Sequence, residues 1–133
     1  MSGSRILVVA NRTAATPTLL DEIRVRAQAG DCTFALLIPD APSKDHVDWT
    51  LELALPLLDE AAGSHVEGLV GDTDPFVAVQ GALQRTAYDE IVVSTLPTHV
   101  SHWLRMDLPA RVRRLGVPVT VVTASRRDAV IER

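Results

Sequence analysis

Five short apolar, β-rich runs recur along the chain: RILVVA at 5–10, CTFALLI at 32–38, HVEGLV at 65–70, EIVVST at 90–95 and VPVTVV at 117–122. Several are continuous rather than alternating, the pattern of strands covered on both faces. Between them lie segments with helical spacing. In the first, Thr16 is placed to cap and Pro17 to take the first helical position, and Leu19, Ile23 and Ala27 form a stripe that Gly30 ends. The third repeats the device with Asp74, Pro75, and then Phe76, Val79 and Leu83 on one face. A fourth starts at Asp107, with Leu108, Val112 and Leu115 facing inward. The second keeps its period through Val47, Leu51, Ala54, Leu55 and Leu58 up to Gly63, but Pro56 lies inside it. An interior proline costs ~3 kcal/mol, which predicts a kink or two shorter helices. Alternating strands and helices imply right-handed crossovers and a parallel sheet. The expected fold is a three-layer α/β/α sandwich around a five-stranded parallel sheet.

A chain of 133 residues, 47% of them hydrophobic, buries one proper core. A single domain spanning 1–133 is expected, with 1–4 and 126–133 as flexible tails. The net charge of −4 argues against nucleic acid as the main partner. No apolar stretch is long enough to cross a bilayer, and the start MSGSR lacks the apolar core of a signal peptide, so no membrane is expected and the cytoplasm is. The single cysteine, Cys32, excludes an internal disulfide and any multi-cysteine metal site; at the head of an apolar run it reads as a small buried filler.

In parallel sheets ligands bind beyond the carboxyl ends of the strands, where the winding direction reverses. The candidates are therefore Asn11, Arg12 and Thr13 after the first run, Pro39 and Asp40 after the second, Gly71, Asp72 and Thr73 after the third, and Ser94 and Thr95 after the fourth.

RILVVANRT, VEGLVGDTDP, and YDEIVVS followed at a distance by LPARVRRLGVPVTVV together resemble the universal stress proteins, over nearly the whole chain. The resemblance implies a Rossmann-like, nucleotide-binding type of fold with strand order 3-2-1-4-5. Nucleotide-binding members carry Gly-x-x-Gly, nine residues, then Gly-Ser or Gly-Thr; the bare glycines let backbone N–H groups approach phosphates. Set against that pattern, this chain has Ser94 and Pro97 for the first two glycines and, after eight residues instead of nine, Met106 for the third and Asp107 for the hydroxyl. Proline removes a donor, Met106 adds a side chain, and Asp107 is expected to cap the following helix and satisfy its dipole. The family's Asp-Gly-Ser after the first strand is Asn11-Arg12-Thr13 here. A divergent member with a degenerate phosphate loop is implied, for which ATP in the usual mode, and any other cofactor, is disfavoured. The alternative is a nucleotide-binding stress protein with an altered loop.

Other readings of the remaining residues are weaker. His99-Val100-Ser101-His102 is similar to the His-x-Gly-His of nucleotidyl transferases, yet it follows the fourth run and lacks the glycine. The same pair with Asp107 has metal-ligand residue types, but a helical turn with solvent-facing histidines and Trp103 packed down is favoured. Trp103 reads as a plug in the crevice. Arg105, Arg111, Arg113, Arg114, Arg126 and Arg127 read as solvated charge near a helix C-terminus. Arg12 is equally a candidate anion ligand, with Thr13 and Ser94, and a salt-bridge partner of Asp40 or Asp72. A receiver domain would need an acidic pair after the first strand and a lysine after the fifth; Asn11-Arg12 and the lone Lys44 do not supply them. Nothing in the chain forms a catalytic constellation, so no enzyme is expected.

The last run would form an edge strand protected by one proline. The resemblance implies a homodimer pairing through it, by Pro118, Val119, Thr120, Val121 and Val122. The alternative is the tail SRRDAVIER folding back over that edge. A protein partner for the assembly is also expected.

Overall fold

The computed structural model describes residues 3–10, 16–39, 44–72, 74–95, 103 and 106–123, with the backbone alone over 44–51. The strands are β1 (Ser4–Val9), β2 (Cys32–Pro39), β3 (Glu67–Gly71), β4 (Glu90–Thr95) and β5 (Val119–Thr123). All pair in parallel in the order β3-β2-β1-β4-β5. That order separates the chain from receiver domains, whose order is 2-1-3-4-5.

Helices α1 (Pro17–Ala29) and α2 (Lys44–Ala62) cover one face, and α3 (Pro75–Arg85) and α4 (Leu108–Arg113) cover the other. Strand alternation divides the core accordingly. Ile6 and Val8 of β1 pack with Leu19 and Ile23 of α1 and Leu58 of α2; Leu7 and Val9 pack with Val79 of α3 and Val112 of α4. The inner strands are apolar on both sides, which is why their runs read as continuous. No helix among the described residues is long and apolar enough to cross a membrane.

Four sequence expectations shift. α2 is a single helix through Pro56, not two. Pro56 is exposed between Leu55 and Leu57, so the carbonyl its missing N–H would have engaged, that of Glu52, lies on the solvated side. Thr16 precedes α1 without a side-chain capping bond: it is 3% exposed and turned into the protein, while its carbonyl receives Leu20 N–H. Ser4 belongs to β1, not to a tail, its N–H bonded to Asp31 O at 2.9 Å. Pro118 lies just before β5, yet its carbonyl accepts from Ile91 N–H and so faces inward to β4. By contrast Asp74 caps α3 as expected, its Oδ1 accepting from the N–H groups of Phe76 and Val77.

Candidate functional site

The winding direction reverses between β1 and β4, so the crevice of this fold opens beyond Ala10 and Thr95. Asn11, Arg12, Thr13, Asp40, Pro97, His99 and His102 lie outside the described residues, as do Arg105 and the tail. Ser94 and Thr95 are both 2% exposed. Being consecutive in a strand they face opposite layers: Ser94 the side of α1, Thr95 the side of Trp103 and Met106. One ligand cannot use both hydroxyls from the same face.

Thr95 is the anomaly. Its Oγ1 is buried with no hydrogen-bond partner among the described residues. A buried hydroxyl left unmatched costs ~1–3 kcal/mol, and this one stands at the mouth of the crevice. Thr95→Val keeps the shape and removes the orphan; thermal unfolding of the ligand-free protein should show a gain of about 1 kcal/mol. An equal loss would mean that the hydroxyl is satisfied in solution.

Asp107 corrects the reading of the loop. Its backbone is left-handed, φ 59° and ψ 37°, and its side chain makes no capping bond to α4. A left-handed residue does not carry its side chain back over the first turn, so the carboxylate neither caps the helix nor satisfies its dipole. The same geometry moves the match by one residue. Nine residues after Pro97 lead to position 107, and the backbone that glycine adopts freely is found there, not at Met106. The turn is kept, with a carboxylate on it, and Leu108, 0% exposed, takes the hydroxyl position. Trp103 and Met106 are half-buried against the α3–α4 side of the core.

Gly71 and Asp72 do not join this crevice. β3 lies three strand spacings from β4, about 14 Å, with β2 and β1 between. Gly71 has a packing reason instead: a Cβ there would stand 2.6 Å from the Ala78 Cβ. Asp72 Oδ1 accepts from Asp74 N–H at 2.9 Å and shapes the turn into α3. Arg111 is not simply solvated, since its guanidinium lies 4.4 Å from the Phe76 ring centroid and joins α4 to α3.

Among the described residues the most developed polar network lies at the opposite end of the sheet, where the sequence gives no local sign of it. Arg26 of α1 donates to Glu90 of β4 through Nε at 3.1 Å and Nη2 at 2.8 Å. It also meets Glu22, and Thr120 of β5 donates to Glu90 Oε2 at 2.8 Å. The Arg26 bond is the main reason the Glu90 carboxyl sits below its ordinary pKa; burial opposes it. The network borders an open cleft of about 570 Å3 that also touches Cys32, Asp31 and Asp89. Cys32 is half-buried, its thiol donating to Arg26 O at 3.4 Å and pushed to higher pKa chiefly by burial. Arg26 and Glu90 sit 64 residues apart in sequence, a separation at which no local spacing signals a pair. Among the described residues no three His, Cys, Asp or Glu side chains are grouped to hold a metal.

No family model matches the chain and no curated protein does. Solved structures do. A universal stress protein in complex with cAMP is 21% identical, with TM-score 0.66, over 93% of this chain and 100% of that one. A universal stress protein family protein from Arabidopsis thaliana with AMP bound is 15% identical, with TM-score 0.57, over 94% of each chain. The protein Rv1636 from Mycobacterium tuberculosis H37Rv is 20% identical, with TM-score 0.53, over 94% of this chain and 99% of that one. The fold of this chain is therefore the universal stress fold, along nearly its whole length.

Proposed function

We propose that the protein is a divergent universal stress protein: a non-enzymatic binding or assembly module of one cytoplasmic domain, homodimeric through β5, that does not hold ATP in the manner of a glycine-rich loop. The observation that carries this reading is the left-handed backbone at Asp107. The turn before α4 is present, but a carboxylate occupies the position where backbone N–H groups need an unobstructed, uncharged approach to phosphate. A phosphate there meets like charge, and Leu108 offers no hydroxyl.

Two structural neighbours hold cAMP and AMP, so adenine nucleotides are the ligands to test first. The orphan hydroxyl of Thr95 supports a crevice that still accepts a small polar molecule. The absence of a catalytic constellation in the sequence supports binding rather than turnover. β5 supports the dimer: it is a sheet edge whose Val119, Thr120 and Val121 are all half-exposed. A thermal-shift series with ATP, AMP and cAMP tests the ligand reading. No rise in Tm with ATP is expected; a saturable rise with ATP would count against it.

A further inference from the structure

The sheet has a second edge. Among the described residues β3 pairs with β2 alone, which leaves one row of its backbone groups without a strand partner. Its surroundings are apolar on both layers. On the α1–α2 layer Val70 of β3 is 47% exposed, and on the other layer Val77 of α3 is 43% exposed. It overlooks a groove of about 200 Å3 between β3 and α3, floored by Leu69, Ala78 and Ala82.

Gly81 adds an independent sign. A glycine inside a helix costs about 1 kcal/mol relative to alanine. Among the described residues nothing requires it, for a Cβ at 81 would meet no atom within 4 Å. The space above it is open, in the wall of the same groove.

The charges indicate the occupant. Asp72 and Arg85 both line the groove. Because α3 returns antiparallel to β3, Asp72 stands at the end of the groove near the α3 start and Arg85 at the other. A two-fold axis through the middle of β3, at Leu69, exchanges these ends: each Arg85 meets the other copy's Asp72, and Leu69 meets Leu69. Glu67 lies at the Arg85 end, so each arginine would serve two carboxylates.

We propose that the β3 edge is a self-association surface, on which a second copy of this chain docks by antiparallel β3–β3 pairing with reciprocal Arg85–Asp72 contacts. It is the edge opposite β5, so it is independent of the dimer proposed above and extends the sheet in the other direction.

Sedimentation velocity of the full chain over a wide concentration range tests this. At concentrations where wild type associates, Val70→Lys and Arg85→Glu should each bring the mass down to that of a monomer, or of a β5 dimer where that dimer forms. The charge exchange Asp72→Arg with Arg85→Glu should restore it. Circular dichroism checks that each variant keeps the wild-type fold. Unchanged mass in both single variants, or a charge exchange that restores nothing in a folded protein, would overturn the proposal.

Discussion

Gly71→Val should cost the protein about 3 kcal/mol, the largest effect expected of any single substitution at the carboxyl ends of its strands. The cause is space, not backbone strain. A Cβ at 71 would lie 2.6 Å from the Ala78 Cβ, 3.1 Å from the Ala78 Cα and 3.1 Å from Leu37 Cδ1. Two of these contacts are to α3 just after its first turn, where Asp74 and Pro75 fix the helix start and prevent retreat. Valine adds two methyl groups to that collision. Urea unfolding followed by far-ultraviolet circular dichroism gives the cost directly. Gly71→Ala in an Ala78→Gly background should recover a good part of it, because the shortest contact is then gone. A loss below about 1 kcal/mol for Gly71→Val would mean that α3 moves freely on β3, and Gly71 would need another explanation.

Glu90→Ala should cost about 2 kcal/mol at neutral pH. The substitution removes two donors' acceptor from Arg26 and one from Thr120, at side chains only 16% and 26% exposed for the Arg26–Glu90 pair. Glu22 remains on Arg26 and keeps the loss from being larger. The pH dependence has a definite sign. The folded carboxyl titrates below its ordinary value, so the unfolded chain binds the proton first as pH falls. The stabilisation is complete above the ordinary glutamate pKa and is lost as pH drops through the lowered one. Wild type should therefore lose stability through that acid range more steeply than Glu90→Gln. Parallel slopes in the two proteins would show that the ion pair does not contribute. Because Thr120 is in the network, the variant also loosens β5 from α1, so its dimerisation should be measured alongside.

Most of the architecture could be read from residue patterns, because each strand and helix carries its own local signal. Continuous runs such as CTFALLI announce double burial, and the Asp74-Pro75 start of α3 forms as its residues dictate. The misreadings arose where a local rule met a tertiary circumstance. Pro56 breaks helices in isolation, but on the solvated side of a helix anchored by Ala54 and Leu58 it is accommodated. Thr16 has a capping side chain and spends it elsewhere. Asp107 looked like a cap because aspartate before a helix usually is one; its left-handed backbone is a property of the turn and leaves no trace in residue type.

The candidate site was less legible. Position after a strand is a one-dimensional criterion, and it grouped Gly71 and Asp72 with Ser94 and Thr95 although the sheet order holds them apart. The unpartnered state of Thr95 and the Arg26–Glu90–Thr120 network depend on which elements become neighbours. Only the assembled sheet brings α1, β4 and β5 to one point.

The central claim concerns Asp107 and the phosphate chemistry it replaces. Calorimetric titration of the purified, metal-free protein with ATP, and then with ATP and magnesium at moderate salt, tests it most directly. The account predicts no binding heat up to millimolar nucleotide. Stoichiometric binding in the micromolar range would contradict it, and would require another route to the phosphates than the turn before α4.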